Sequence, residues 1–203
     1  MTGVTRPCPL FTKLADSFAP ISATDALKSA GVSAVGRYLE NFTSTERDVL
    51  FAAGLGVLLL SEAPTGPLTK DYGHQRASHL VARTAALGVP RGVHVMIDLE
   101  GQHGAHSDVI DYINALASDL EAAGYVPMAY IGAGQLLSGA ELYALPSVHL
   151  YWRGGSLGMP EPSCGFAMWQ IPPLEANVAG IVVDMSMTGA DLRGRAPILW
   201  AAS

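Results

Sequence analysis

Cationic side chains are scarce in this 203-residue chain, which carries 12 Lys and Arg against 18 Asp and Glu and has a net charge of −6. Binding to nucleic acid depends on neutralising phosphates with Lys and Arg, and the composition offers no such basic face. Attraction to an anionic surface by charge alone is excluded for the same reason. We therefore expect no nucleic-acid partner.

Long apolar runs are also missing. The most apolar segments, such as residues 57–60 and 181–183, have the length of a strand and fall far short of the roughly 20 residues of a membrane-spanning helix. The N-terminal MTGVTRPCPLF contains no continuous apolar segment of signal-peptide length. We therefore expect synthesis in the cytoplasm without a signal peptide, and no insertion into a membrane.

Cysteine is nearly absent, since Cys8 and Cys164 are the only two. Their separation matches no metal-binding spacing, and the expected compartment favours two unpaired thiols over a disulfide. A disulfide joining the N-terminus to a late loop is the alternative. His103 and His106 in GQHGAHSD form only a weak metal motif, and we interpret them as polar loop residues. The sequence thus predicts neither a metal nor a cofactor.

What the chain has in quantity is apolar residues, at 49% of the total, arranged in a regular rhythm. In the first two thirds, short apolar runs alternate with helical segments that end in glycine. Such glycines are typical of left-handed C-terminal caps, and we predict four of them at Gly31, Gly54, Gly88 and Gly124. Alternating strands and helices favour a parallel sheet built from right-handed βαβ units.

The number of strands predicts a closed barrel. Five strands with intervening helices are followed by three strands whose links contain prolines and are too short or too broken for helices. Eight strands suffice to close a barrel. We therefore predict an α/β fold over residues 1–203, as a single domain with a TIM-like barrel of the (β/α)5β3 type and strands near 12–17, 33–39, 56–61, 93–99, 126–131, 148–153, 165–171 and 180–186.

Polar and aromatic residues recur where these strands end, and in such barrels the active site lies at the C-terminal ends of the strands. The candidates are Asp16, Tyr38, Glu62, Asp98, Glu100, Tyr130, Trp152, Trp169, Gln170 and Asp184. For the aromatic residues, packing in the core is the alternative to stacking on a ligand.

The segment HVMIDLEGQHG carries the strongest chemical signal. Side chains alternate along a strand, so Asp98 and Glu100 face the same side, about 6.5–7 Å apart along the backbone. In a dry site one carboxyl group would be pushed toward its neutral form while its neighbours stay ionised. Glycoside cleavage uses this division, because one group donates a proton and another supports the anomeric carbon. Alternatively, the two acids cap the loop before a helix at Ser107.

The order of these motifs resembles the family 25 glycoside hydrolases, the Chalaropsis-type lysozymes. Matching features are an Asp after the first strand, D-x-E after the fourth, W-Q in the seventh and V-D in the last. The segments AVGRYL, DYGHQRASHLVARTAALGVPRGVHVMIDLE and DYINALASDLEAAGYVPMAYIG are more similar to a sister family of glycoside hydrolase-like domains of unknown function. The resemblance spans about residues 12–190 and also implies a (β/α)5β3 barrel.

The resemblance assigns roles to these residues. It implies that Glu100 is the general acid/base, and that Asp98 stabilises the developing positive centre or orients the substrate's 2-acetamido group. Asp16 and Asp184 would be the flanking carboxylates of the site. We expect the substrate-binding residues to be Tyr38, Glu62, Tyr130, Trp152, Trp169 and Gln170.

The function implied is that of a peptidoglycan hydrolase, an N-acetylmuramidase that cleaves the β-1,4 bond between N-acetylmuramic acid and N-acetylglucosamine. A monomeric phage endolysin or a delivered antibacterial effector, acting on the bacterial cell wall, would fit this reading. The alternative is a non-catalytic barrel that binds wall glycan, because a fold does not determine a function.

Overall fold

A barrel mouth lined by strand ends is the part of the fold that builds the site. The computed structural model describes residues 3–203, and within them eight strands form a closed barrel. Seven of these strands run parallel, and β9 is antiparallel to its neighbours β2 and β8. The barrel strands are β2 (Lys13–Ser17), β3 (Val32–Tyr38), β4 (Gly56–Leu60), β5 (His94–Asp98), β6 (Val126–Ile131), β7 (Leu150–Arg153), β8 (Met168–Val178) and β9 (Ile181–Thr188).

Five helices connect the strands along the first part of the barrel, as the sequence predicted. They are α1 (Thr24–Ser29), α2 (Ser44–Ala52), α3 (Lys70–Leu87), α4 (His106–Ala122) and α5 (Gly139–Tyr143). The four glycines predicted to end helices all have positive φ, between 72° and 91°. That conformation lets the chain turn back toward the next strand without the steric cost of a Cβ atom. The predicted TIM-like barrel is confirmed.

Strand alternation sorts the apolar side chains into two layers. One layer fills the barrel interior and includes Leu14, Ala34, Leu58, Met96 and Met128, all at most 2% exposed. The other layer lies between the barrel and its helices and includes Val35, Val57, Val95, Ile113 and Leu116. Interior packing closes the barrel below the site, so a ligand can enter only at the mouth.

Two further strands lie outside the eight that the sequence predicted. β1 (Gly3–Pro7) pairs antiparallel with β10 (Ile198–Ala202), and β10 also contacts β4 at Val57. Trp200 of β10 is buried edge-on against Phe51, with ring centroids 5.2 Å apart. The C-terminal segment, to which the sequence assigned no role, therefore forms a two-stranded ribbon with the N-terminal one.

The helices and the two cysteines bear on two further expectations from the sequence. Within residues 3–203, no helix is both long enough and apolar enough to cross a membrane. Cys8 and Cys164 are buried, unpaired thiols, and burial raises the pKa of each above its usual value.

Candidate active site

Four carboxylates converge at the mouth of the barrel. Asp16 on β2 lies directly opposite Asp184 on β9, Asp98 ends β5, and Glu100 follows in the turn. All four line one small pocket, with a cavity volume of about 50 Å³. The other residues of its lining are Tyr38, Met96, Tyr130, Trp152 and Gln170.

Two glycines leave the space that these acids occupy. A Cβ atom on Gly36 would lie 2.6 Å from the Cβ of Asp16, and one on Gly132 would lie 2.1 Å from Glu100 Oε1. Both distances are too short for any side chain larger than that of glycine. Gly36 and Gly132 therefore leave the space that the side chains of Asp16 and Glu100 occupy.

Backbone amides hold the two acids of the D-x-E motif. The amide of Glu100 donates to Asp98 Oδ1 at 2.9 Å, and the amide of Ala133 donates to Glu100 Oε1 at 3.2 Å. Helix α4 begins at His106 with Ala105 as its N-cap and has no capping side chain. Neither acid therefore caps that helix, although Asp98 does stabilise its own turn.

Asp184 is positioned by Gln170 and by the β8–β9 hairpin. Gln170 Nε2 donates to Asp184 Oδ2 at 3.2 Å, while Gln170 Oε1 accepts from the Tyr130 hydroxyl at 2.9 Å. The amide of Glu175 donates to Asp184 Oδ1 at 2.7 Å. Gln170, of the W-Q motif on β8, therefore links Tyr130 to Asp184.

Burial of the acids changes their protonation. Removal from water raises the pKa of Asp98 to about 7, and the nearby negative charge of Glu100 adds to that shift. Burial also raises the pKa of Asp16 well above its usual value, with Asp184 and Asp98 as the next causes. Asp16 Oδ2 is buried and has no hydrogen-bond partner among the described residues. The site therefore combines two buried acids of raised pKa, Asp16 and Asp98, with the more accessible Glu100.

Tyr38, Tyr130, Trp152 and Gln170, which the sequence predicts to bind substrate, line the pocket between the carboxylates. Trp152 is only 1% exposed and packs edge-on against Tyr130, with ring centroids 4.9 Å apart. Its indole therefore forms part of the floor and offers no open face for stacking.

Trp169 and Glu62 lie elsewhere, contrary to prediction. Trp169 packs on the outer layer near Gly189, because adjacent strand residues face opposite sides and Gln170 faces inward. Glu62 follows β4, where its amide donates to Glu40 and its carbonyl accepts from Arg76. Neither residue lines the pocket between the carboxylates.

Two open grooves extend from the small pocket and share residues with it. The first, which we call the hairpin groove, has a cavity volume of about 520 Å³. The second, of about 290 Å³, borders Glu100, Tyr130, Gln170 and Asp184. The hairpin groove is lined by Asp16, Ser17, Phe18, Ala19, Tyr38, Glu175, Gly180, Ile181, Val182, Val183 and Asp184.

Sequence reasoning missed Phe18 and Glu175, which line this groove from a loop and from the β8–β9 hairpin. The pattern KLADSFAP, with an aromatic two residues after the strand-end acid, was the available signal for Phe18. As for metals, residues 3–203 contain no group of three or more His, Cys, Asp and Glu side chains arranged to hold an ion.

An eight-stranded barrel with carboxylates at its mouth is the architecture of glycoside hydrolase-like proteins, a class that the family comparison shows for this chain. A family model described as "Rv2525c-like, glycoside hydrolase-like domain" matches residues 25–170, and the chain therefore belongs to that family. The matched stretch includes Asp98, Glu100 and Gln170. This membership confirms the resemblance seen in the sequence.

Solved structures share the fold at low sequence identity. The Tat-secreted protein Rv2525c of Mycobacterium tuberculosis, in complex with L-tartrate, is 15% identical with a TM-score of 0.69, over 88% of this chain and 95% of that one. A family 25 glycosyl hydrolase from Bacillus anthracis is 12% identical with a TM-score of 0.54, over 87% and 88%. The catalytic domain of endolysin ply40 from the Listeria monocytogenes bacteriophage P40 is 14% identical with a TM-score of 0.55, over 89% and 94%. No curated protein matches the sequence significantly.

Proposed function

We propose that this chain is a peptidoglycan hydrolase, an N-acetylmuramidase that cleaves the β-1,4 bond between N-acetylmuramic acid and N-acetylglucosamine. The observation that carries the proposal is the convergence of Asp16, Asp98, Glu100 and Asp184 in one pocket that shares lining residues with two open grooves. Open grooves that adjoin a group of carboxylates suit a polymeric substrate that extends beyond the cleaved bond. No metal or cofactor is needed for this chemistry.

Glu100 is the proposed proton donor. It borders both the small pocket and the second groove, so its carboxyl group can reach a glycosidic oxygen bound above the pocket. Asp98 lies beneath, where a pKa of about 7 leaves it partly protonated near neutral pH. The ionised form can support the positive charge that develops at the anomeric carbon, and either form can hydrogen-bond and so orient a 2-acetamido group. Asp16 and Asp184 complete the negative field around that centre.

The biological setting is proposed from the named neighbours. An endolysin catalytic domain and a family 25 glycosyl hydrolase share the fold. A monomer that acts on the cell wall would serve as a phage endolysin. A delivered antibacterial effector is the second possibility in this class.

One observation favours a glycan-binding protein without catalysis. The space between the carboxylates is only about 50 Å³, enough for one or two water molecules. A sugar ring has to bind above it, in the grooves. Binding without cleavage is therefore the second candidate function.

Digestion of purified bacterial walls separates these functions. The wild type should release muropeptides with reducing N-acetylmuramic acid ends, identified by mass spectrometry. Glu100→Gln should lower the rate by about 100-fold or more, the usual contribution of a general acid. Glu161→Gln, at an exposed acid outside the grooves, should leave it unchanged. Failure of the wild type to cleave walls from any host, together with retained wall binding, would establish the non-catalytic function.

A further inference from the structure

Phe18 is an exposed aromatic residue on a rigid loop. Its side chain is 60% exposed and lies in the hairpin groove, beside Tyr38 at a centroid distance of 5.7 Å. Its carbonyl accepts a hydrogen bond from Asn41 Nδ2 at 2.7 Å and another from Arg37 Nη1. An exposed phenyl group whose backbone is held this firmly is suited to bind the apolar face of a sugar ring.

A buried ion pair anchors the same loop from below. Arg37 is fully buried and its Nε donates to Glu46 Oε1 at 2.6 Å. The guanidinium also donates to the carbonyl of Ser17, and Glu46 Oε1 accepts from the amide of Ile21 at 2.7 Å. Both ends of the segment that carries Phe18 are therefore fixed by side chains in the core.

The charged side chains that line the hairpin groove are all acidic. Asp16, Glu175 and Asp184 line it, and the adjoining pocket adds Asp98 and Glu100. Over the described residues 3–203, the linings of the pocket and both grooves contain no Lys, Arg or His. Asp16 is 6% exposed and lines both the hairpin groove and the small pocket, and its buried Oδ2 has no hydrogen-bond partner among the described residues. A buried, unpartnered acceptor in an acidic groove favours a ligand that brings a cationic donor.

We propose that the hairpin groove is a subsite for a hexosamine ring with a free 2-amino group, next to the ring that is cleaved. The apolar face of the ring packs on Phe18, and its ammonium group binds among Asp16, Glu175 and Asp184. An N-acetylated ring offers the same face without the cation. The substrate class is therefore partially de-N-acetylated peptidoglycan. This inference rests on the proposed hydrolase function and adds a preference to it.

The test uses one wall preparation in three forms: native, partially de-N-acetylated, and de-N-acetylated then re-N-acetylated with acetic anhydride. We expect KM for the de-N-acetylated form to be about tenfold lower than for the native form, the size of one charge-assisted hydrogen bond. Re-N-acetylation should reverse the effect, and kcat should change little.

Variants separate the charge from the aromatic face. Glu175→Gln should lose most of the preference for the de-N-acetylated form. Glu161→Gln, at an exposed acid outside the grooves, is the matched control and should keep both the preference and the activity on native wall. Phe18→Ala should raise KM for all three forms by a similar factor. Phe18→Tyr should restore wild-type KM, because it retains the aromatic face.

The outcomes distinguish this inference from the proposed function. Cleavage of native wall with an equal or lower KM than for the de-N-acetylated form would overturn the subsite and leave the hydrolase intact. If no form is cleaved, the hydrolase proposal fails, and titration calorimetry with chitosan and N-acetylchitosan oligosaccharides decides the subsite alone. Equal affinity for the two oligosaccharides would then refute it.

Discussion

At the scale of single residues, the site is built at a cost to stability. Asp98 is 5% exposed, and burial raises its pKa to about 7. Because the pKa in the folded chain lies above that in the unfolded chain, the unfolded state releases its proton first as pH rises. The free energy of unfolding therefore falls between about pH 4 and pH 7, and the loss persists at higher pH.

Replacement of Asp98 by asparagine should remove this loss. Asp98→Asn keeps an oxygen that can accept from the amide of Glu100 but has no charge to bury. We expect stabilisation of about 2–4 kcal/mol at pH 8 and little change at pH 4. Thermal unfolding at both pH values measures it, with the exposed Asp25→Asn as control. Equal melting temperatures of Asp98→Asn and wild type at pH 8 would contradict the assigned burial cost.

Gly132 provides a second prediction at this scale. A methyl group there would lie 2.1 Å from Glu100 Oε1, so Gly132→Ala must displace the carboxyl group. We expect wall-hydrolysis activity to fall about 100-fold, as is common for a displacement of about 1 Å in a catalytic group. Gly66→Ala is the control, since its methyl group meets only the ring of Tyr72 at 3.0 Å or more. Full activity in Gly132→Ala would show that the position of Glu100 is not critical.

The alternation of side chains along a strand determines which site residues could be predicted from the sequence. Because side chains alternate along a strand, Asp98 and Glu100 were predicted to face the same side, and both line the pocket. The same alternation excludes Trp169 once Gln170 faces inward, so the two adjacent residues could not both be site residues. Phe18 and Glu175 lie on a loop and at a bend of the hairpin, where no periodic pattern specifies the direction of a side chain.

At the scale of elements, the loop after β2 depends on α2. Glu46, in the first turn of α2, pairs with the buried Arg37 of β3, and together they hold residues 17–21. The sequence predicted strand β3 but not this link, since Glu46 has the spacing of a capping residue after Thr43. The Thr43 side chain does cap α2, while the Glu46 carboxylate turns to Arg37.

Loss of both partners of the Arg37–Glu46 ion pair should destabilise the chain by less than the sum of the two single losses. Glu46→Gln leaves the guanidinium of Arg37 buried without a counter-charge, which should cost about 3–5 kcal/mol. The double variant Arg37→Met/Glu46→Gln should lose less than the sum of the single variants. Urea unfolding of the four proteins forms the double-mutant cycle. Additive losses would mean that the two side chains act independently.

The terminal strands show where element prediction failed. The segment of β1 contains Arg and Pro and is mostly exposed, so it lacks the apolar pattern of a core strand. β10 follows an arginine-containing segment and takes up its position by pairing with β1 and contacting β4. Such pairing between the two ends of a chain has no local signal. Most barrel strands were predicted from their own apolar runs, whereas the apolar run ILWAA of β10 does not indicate which strand it pairs with.

At the scale of the whole molecule, the barrel persists while the sequence changes. The structures compared share the fold at 12–15% identity. Counting of strands and helices therefore predicted the architecture well, whereas function depends on the few residues at the mouth. The net charge of −6 is a property of this chain that acts over the whole surface.

That charge gives a prediction for attack on native, N-acetylated walls that carry anionic polymers. Like charges repel over about 30 Å at 10 mM salt but only about 8 Å at 150 mM, so added salt should speed the encounter. We expect the initial rate of wall clearing to rise at least about threefold between these conditions. Walls stripped of their anionic polymers should show a much smaller effect, because the repulsion is then removed at its source. A rate that is highest at 10 mM salt would mean that repulsion by the charge of the whole molecule does not control the encounter.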